Sequence, residues 1–313
     1  DPATELPEPP APAILAGNDI VEVTTPMYTP VTEEGGGLED YQCFLIDMNQ
    51  DRDRYLVGFD VEPGNDRTVH HVLGFKVNPG AFGNAQTIQA LDDASPDQIG
   101  WDCFGAAGEN VFVEGVPVTW APGTGATMFP EGTGIPLRDD DVLVVQVHYN
   151  LANESGPDQT KVRLSFADEV ERPAVQVLWD PFLYASVLGS PQYIDPGKEN
   201  ATYQWSETIA TMTNITDAES VEVYGLLPHM HKRGRTMTID FDSDAGMACG
   251  ARVDRWDFDW QQAYFLEQPL SVRLDQQMHV TCNWNTIDDS APIAGGFGTE
   301  DEMCLVGLYV VPN

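Results

Sequence analysis

The chain has 313 residues, with 50 acidic against 15 basic side chains and a formal net charge of −35. Such a surface repels polyanions and excludes nucleic acid as a partner. The sequence contains no apolar run of the roughly 20 residues that a helical membrane span needs, and the length suits two domains of roughly 150 residues.

Residues 1–17, DPATELPEPPAPAILAG, hold five prolines and no amphipathic period, which predicts an extended linker or tail. Beyond it the pattern is all-β. Runs rich in Val, Ile, Leu, Phe and Tyr predict strands over 43–48, 55–61, 68–77, 111–119, 142–149 and 162–166, separated by Gly, Pro and Asp clusters. The second half continues with 221–227, 236–241, 278–284 and 305–311. The 86–93 segment is the best candidate for a short helix. Many strands at short spacing argue for antiparallel sandwiches, and the domain break is expected near 169–173. The acids are spread as on a solvated surface and show no EF-hand spacing, and the glycine-rich stretches lack phosphate-loop spacing. NxS/T sequons occur at Asn153, Asn200 and Asn214 without establishing a source.

Five of the six histidines fall in short-spaced clusters within strand-like runs. These are His70 and His71 in TVHHVLGF, His148 in VVQVHYN, and His229 and His231 in LLPHMHKRG; only His279 is left over. Alternate side chains of a strand share a face, so His229 and His231 can aim at one ion while Met230 points away. Adjacent His70 and His71 diverge on a regular strand, so joint ligation requires a bulge, a twist or the use of different ring nitrogens. A thioether is a soft ligand, so grouping His229 and His231 with Met303 of TEDEMC selects copper and favours Cu(I). A three-histidine zinc hydrolase would leave Met303 idle, and no HExxH accompanies these histidines.

Five cysteines without a CxxC predict disulfides formed in an oxidising, extracytoplasmic setting: secreted, periplasmic or surface-tethered, with a leader removed ahead of Asp1.

In chain order these motifs, with Tyr41 and Cys43 in YQC, Trp101 and Cys103 in WDC, the segment TWAPGTGATMFPEGTGIPL, Gln146 beside His148, DFDWQQAYFLEQP and GGFGTEDEMC, resemble one family. It is the type II copper, ascorbate-dependent monooxygenases, which includes peptidylglycine α-hydroxylating and dopamine β-monooxygenases. The resemblance runs from about Asp19 to the C-terminus. It implies two tandem antiparallel β-sandwich, jelly-roll-like domains, 18–170 and 171–313. The first would carry an electron-transfer copper on His70, His71 and His148, with Gln146 as a polar neighbour. The second would hold copper on His229, His231 and Met303, where O₂ and substrate meet. Two copper ions, ascorbate or another one-electron donor, and O₂ are the implied cofactors and co-substrate. The same matching pairs Cys282 with Cys304 and Cys43 with Cys103. Cys249 is then left as a buried thiol, or as one half of an intermolecular bridge.

The chain departs from the peptide hydroxylase where that enzyme holds its substrate's carboxylate. Leu227, Leu305 and Gly307 stand in place of an arginine, an asparagine and a tyrosine. The expected substrate is therefore a small neutral or cationic molecule with an apolar or aromatic body, lacking that carboxylate anchor. A non-catalytic copper-binding or storage protein is the rival reading.

Overall fold

The computed structural model describes residues 14–17, 19–32, 38–95, 99–103, 107–152, 156–258, 261–296 and 300–313. Most of the proline-rich tail and the sequon at Asn153 lie outside the described residues. The chain is all-β, with sheets that are mainly antiparallel and three short helices among the described residues.

In the first half, a five-stranded sheet runs in the order Trp101–Asp102, Glu39–Ile46, Val142–Asn150, Val69–Val77 and Gly115–Trp120. The central strand VLVVQVHYN is buried along both faces, and its period of two divides the work. Leu143, Val145, Val147 and Tyr149 enter one apolar cluster, together with Leu56, Phe59, Val162 and Leu164 of a second, six-stranded sheet. Val144 enters a smaller cluster on the opposite face, the face that also carries Gln146 and His148.

The second half has two four-stranded sheets. Their orders are Val175–Trp179, Leu305–Pro312, Ser220–His229, Tyr264–Arg273, and Ala201–Thr208, Gln277–Trp284, Gly234–Ser243, Gly246–Val253. Both contribute to a single cluster, with Val221, Val223, Leu308 and Val310 from the first and Ile239, Phe241, Val280 and Trp284 from the second. The chain passes between halves at Ala174. Arg172–Pro173 still pairs with Thr133–Gly134 of the first half, and Val175 already pairs with Val310.

An apolar seam joins the halves. Tyr309 and Val311 belong to the first half's core cluster. The Tyr309 hydroxyl lies 2.8 Å from Thr133 Oγ1, and its ring stands 5.0 Å from Phe129. Arg172 adds an ion pair to Glu222 at 2.5 Å.

Several elements differ from expectation. The 86–93 helix is present and longer, Asn84–Ala94. The 111–119 strand begins only at Gly115. Pro181–Val187 is an unanticipated helix, although its start is written in the sequence: Asp180 caps it by accepting from Phe182 N and Leu183 N, with Pro181 in the first turn. Cys249 is exposed, so the expectation of a buried thiol fails. It lies on Gly246–Val253, the outer strand of its sheet.

Candidate metal centre

The first histidine cluster is made by a register shift. His71 sits opposite His148 in the antiparallel ladder, and the pairing slips by one residue between Val69 and His71, making His70 the extra residue. His71, Leu73 and Phe75 share a face by the strand's period of two, and the bulge brings His70 onto the same cavity. The His71 Nδ1 then lies 3.4 Å from His70 Nδ1 and 3.1 Å from His148 Nδ1. One ring nitrogen from each of the three lies within 4.8 Å of the others. The Tyr41 ring stacks on His148 at 4.0 Å, with planes 7° apart, and fixes that imidazole. Burial, and then the charge of neighbouring histidines, hold His71 and His148 well below the usual histidine range. Both are neutral near pH 7 and keep a lone pair for an ion. Gln146 lines the same cavity and donates from Nε2 to the Cys103 carbonyl at 2.7 Å. Cys103 is bridged to Cys43.

The second cluster forms where two strands end together. His229 pairs with Leu305, and continuing that antiparallel register brings position 231 alongside Met303. His229 is the last strand residue, so the expectation of one strand carrying both histidines is corrected. His231 lies beyond the strand, and Glu302 holds it there. The Glu302 carboxylate accepts from His231 N at 3.0 Å and from Arg233 N at 2.7 Å. Met230 still points into the core, as the alternation requires. His229 Nδ1 meets Gln261 Oε1 at 2.5 Å, and His231 Nδ1 meets the Asp301 carbonyl at 3.2 Å. An acceptor at each Nδ1 places the proton there and leaves Nε2 with its lone pair. The two rings stand 5.1 Å apart and almost perpendicular, and burial lowers His229 to about 4.

Sequence reasoning missed the carboxylates behind this cluster. Burial pushes Glu302 up to about 7 and Asp180 up to about 6, although each accepts several backbone N–H bonds. Asp180 Oδ2 accepts from Cys304 N at 3.0 Å, next to Met303, and Cys304 is bridged to Cys282 of the facing sheet. The only sequence signal was the adjacency of Glu302 to Met303 and the Asp-Pro start of the helix. His279 takes no part: it bonds Ser206 at 2.7 Å and Asp242 at 3.0 Å on an outer sheet face.

Both clusters open on one cavity of about 280 Å³ between the halves. His70, His71, His229, His231 and Met303 line it, while His148 stands behind His71. Phe258 of the second half stacks on His70 of the first, with centroids 5.3 Å apart. The donor sets fit copper: three imidazoles on one side, and two imidazoles with a buried thioether on the other.

Residues 31–156 match the N-terminal domain, and residues 182–311 the C-terminal domain, of the copper type II ascorbate-dependent monooxygenases. The chain belongs to this family. It is 26% identical over 256 residues to the human putative DBH-like monooxygenase protein 2, covering 80% of this chain and 48% of that protein. Identity is 25% over 287 residues to human DBH-like monooxygenase protein 1, covering 87% and 44%. It is 22% over 285 residues to dog dopamine beta-hydroxylase, covering 87% and 43%. The chain therefore spans less than half the length of these curated relatives. Among solved structures, allantoicase matches at a TM-score of only 0.22 with 11% identity, covering 82% of this chain and 83% of that one, and bears on neither fold nor site.

Proposed function

We propose that this chain is a copper-dependent hydroxylase that inserts one oxygen atom of O₂ into a C–H bond of a small organic substrate. His70, His71 and His148 would hold the electron-transfer copper, and His229, His231 and Met303 the copper at which O₂ and substrate meet. The division into an 18–170 and a 171–313 domain, each a two-sheet sandwich, belongs to this reading. So does an extracytoplasmic location, which the disulfides Cys43–Cys103 and Cys282–Cys304 support. The carrying observation is that five of the six proposed ligands line one cavity, with the sixth in contact with His71.

Hydroxylation consumes two electrons and two protons beyond the substrate and yields an alcohol and water. Two copper ions, each cycling between Cu(I) and Cu(II), would store those electrons, with ascorbate or another one-electron donor refilling them. The chain's own residues do the rest. Burial keeps His71, His148 and His229 unprotonated, and Gln261 and the Asp301 carbonyl orient the two rings of the second cluster. Glu302 holds the His231 backbone, and Asp180 holds the Cys304 backbone beside Met303. The mostly apolar walls exclude water, and the substrate is expected to lack a peptide carboxylate because Leu227, Leu305 and Gly307 supply no counter-charge.

The test is reconstitution with copper, followed by oxygen uptake with ascorbate across a substrate panel and mass spectrometry of products. Two coppers per chain and a product heavier by one oxygen are expected. Tight copper binding with no ascorbate-dependent oxygen uptake on any compound would instead make the chain a copper carrier.

A further inference from the structure

We infer that a polar pocket beside His229 is the docking site of the one-electron donor, and that it takes a small polyhydroxylated anion such as the ascorbate monoanion. The inference rests on the hydroxylase reading and adds a site which that reading leaves open. The pocket has a volume of about 240 Å³ and lies in the second half, with Pro228, Arg255, Trp256, Asp257, Gln262 and Tyr264 among its walls. Gln261 and Gln262 line both this pocket and the histidine cavity, so the two share a wall.

That wall is tied to the second cluster. Gln261 accepts from His229 Nδ1 at 2.5 Å and donates to the Phe258 carbonyl at 2.6 Å. Trp256 donates to the His231 carbonyl at 3.0 Å, and its ring stands 6.4 Å from that of His229. A molecule in the pocket touches side chains that hold two of the proposed ligands, without entering the cavity where the substrate is expected. Donor and substrate can therefore be bound at the same time.

Arg255 sets the preference for an anion. It is exposed and makes no hydrogen bond or ion pair to a described residue, although the chain has 50 acids against 15 bases. A free guanidinium offers paired N–H donors to a delocalised enolate. Asp257 and Gln262 can accept from the hydroxyl groups of the same molecule. Each ascorbate monoanion that docks gives up one electron and one proton and departs as its radical anion. Two of them supply the two electrons and two protons that hydroxylation consumes.

The first test titrates the copper-free protein, under nitrogen, with ascorbate and with its neutral 3-O-methyl ether by calorimetry. Ascorbate should bind about tenfold more tightly than the ether, and Arg255→Gln should remove that difference. Arg52→Gln makes the same charge change in the first half and should leave binding unchanged. The second test follows the loss of the Cu(II) EPR signal after the copper-loaded protein is mixed anaerobically with ascorbate. The rate should saturate, and Arg255→Gln should raise the half-saturating concentration about tenfold while the limiting rate stays the same. Reduction by hexaammineruthenium(II), which needs no anion site, should be unaffected. No binding of ascorbate to the copper-free protein, equal binding by Arg255→Gln, or a reduction rate linear in ascorbate would overturn the inference. A protein that passes both tests yet hydroxylates no compound refutes the hydroxylase reading alone, whereas ascorbate-driven turnover indifferent to Arg255 refutes the docking site alone.

Discussion

Phe258, from the second half, lies over His70, from the first, with ring centroids 5.3 Å apart and planes 23° apart. A residue outside either donor set thus joins the two clusters across the cavity. Stacked pairs contribute about 0.5–1.5 kcal/mol beyond buried area, so Phe258→Ala should lower first-site copper affinity and coupled turnover by up to about tenfold. Phe258→Tyr should retain both. Copper affinity measured by chelator competition, beside ascorbate-driven oxygen uptake, checks this; an unchanged Phe258→Ala protein would remove the stack from the mechanism.

Met303→Ile keeps a similar volume and removes the sulfur lone pair. His229 and His231 remain, so copper at the second site should weaken at least tenfold in the Cu(I) state while the first site is unaffected. Hydroxylation should collapse. X-ray absorption on the reconstituted protein should lose its sulfur scatterer, and a retained sulfur signal would show that Met303 is not a ligand.

The Cys282–Cys304 bridge closes a separation of 22 residues and ends beside Met303. Its replacement by serines should cost about 3 kcal/mol on the chain-entropy account. The larger functional effect should fall on the second site, because Cys304 shares a backbone with the proposed ligand and a metal site tolerates only sub-ångström displacement. Urea unfolding paired with site-resolved copper affinity separates the two effects. Equal weakening of both copper sites would contradict a local role.

The buried imidazoles predict a pH response of the metal-free protein. His229 has a folded value of about 4 against an ordinary 6.5, and His71 and His148 are also lowered. Below pH 6.5 the unfolded chain takes up protons that the folded chain refuses, so each group removes stability as pH falls, at about 1.4 kcal/mol per pH unit. For His229 that loss ends near pH 4. Glu302 and Asp180, both raised, act in the opposite sense and add stability as pH falls through their folded values. Comparison with His229→Gln isolates one group: between pH 7.5 and 5 the variant should lose about 2 kcal/mol less than the wild type, read from urea midpoints. A parallel loss in both proteins would place His229 in a solvated setting.

The all-β class, the principal strands and the six candidate ligands are legible in the sequence, because period-two patterning and scarce histidines at fixed spacing are local signals. The soft sulfur of Met303 pointed to copper for the same reason: ligand chemistry is a property of residue type. Features that depend on register are set by long-range pairing. Whether adjacent His70 and His71 converge is settled by a slip in pairing against Val142–Asn150, a strand some 70 residues away that no local pattern encodes. His231 reaches its place beyond the end of its strand through Glu302, whose value there follows from burial and from backbone N–H groups contributed by distant residues. Cys249 reads as an ordinary buried thiol by composition, and becomes exposed because its strand lies at a sheet edge. The cavity itself exists only because Tyr309 and Val311 pack into the first half's core and bring two separately patterned halves face to face.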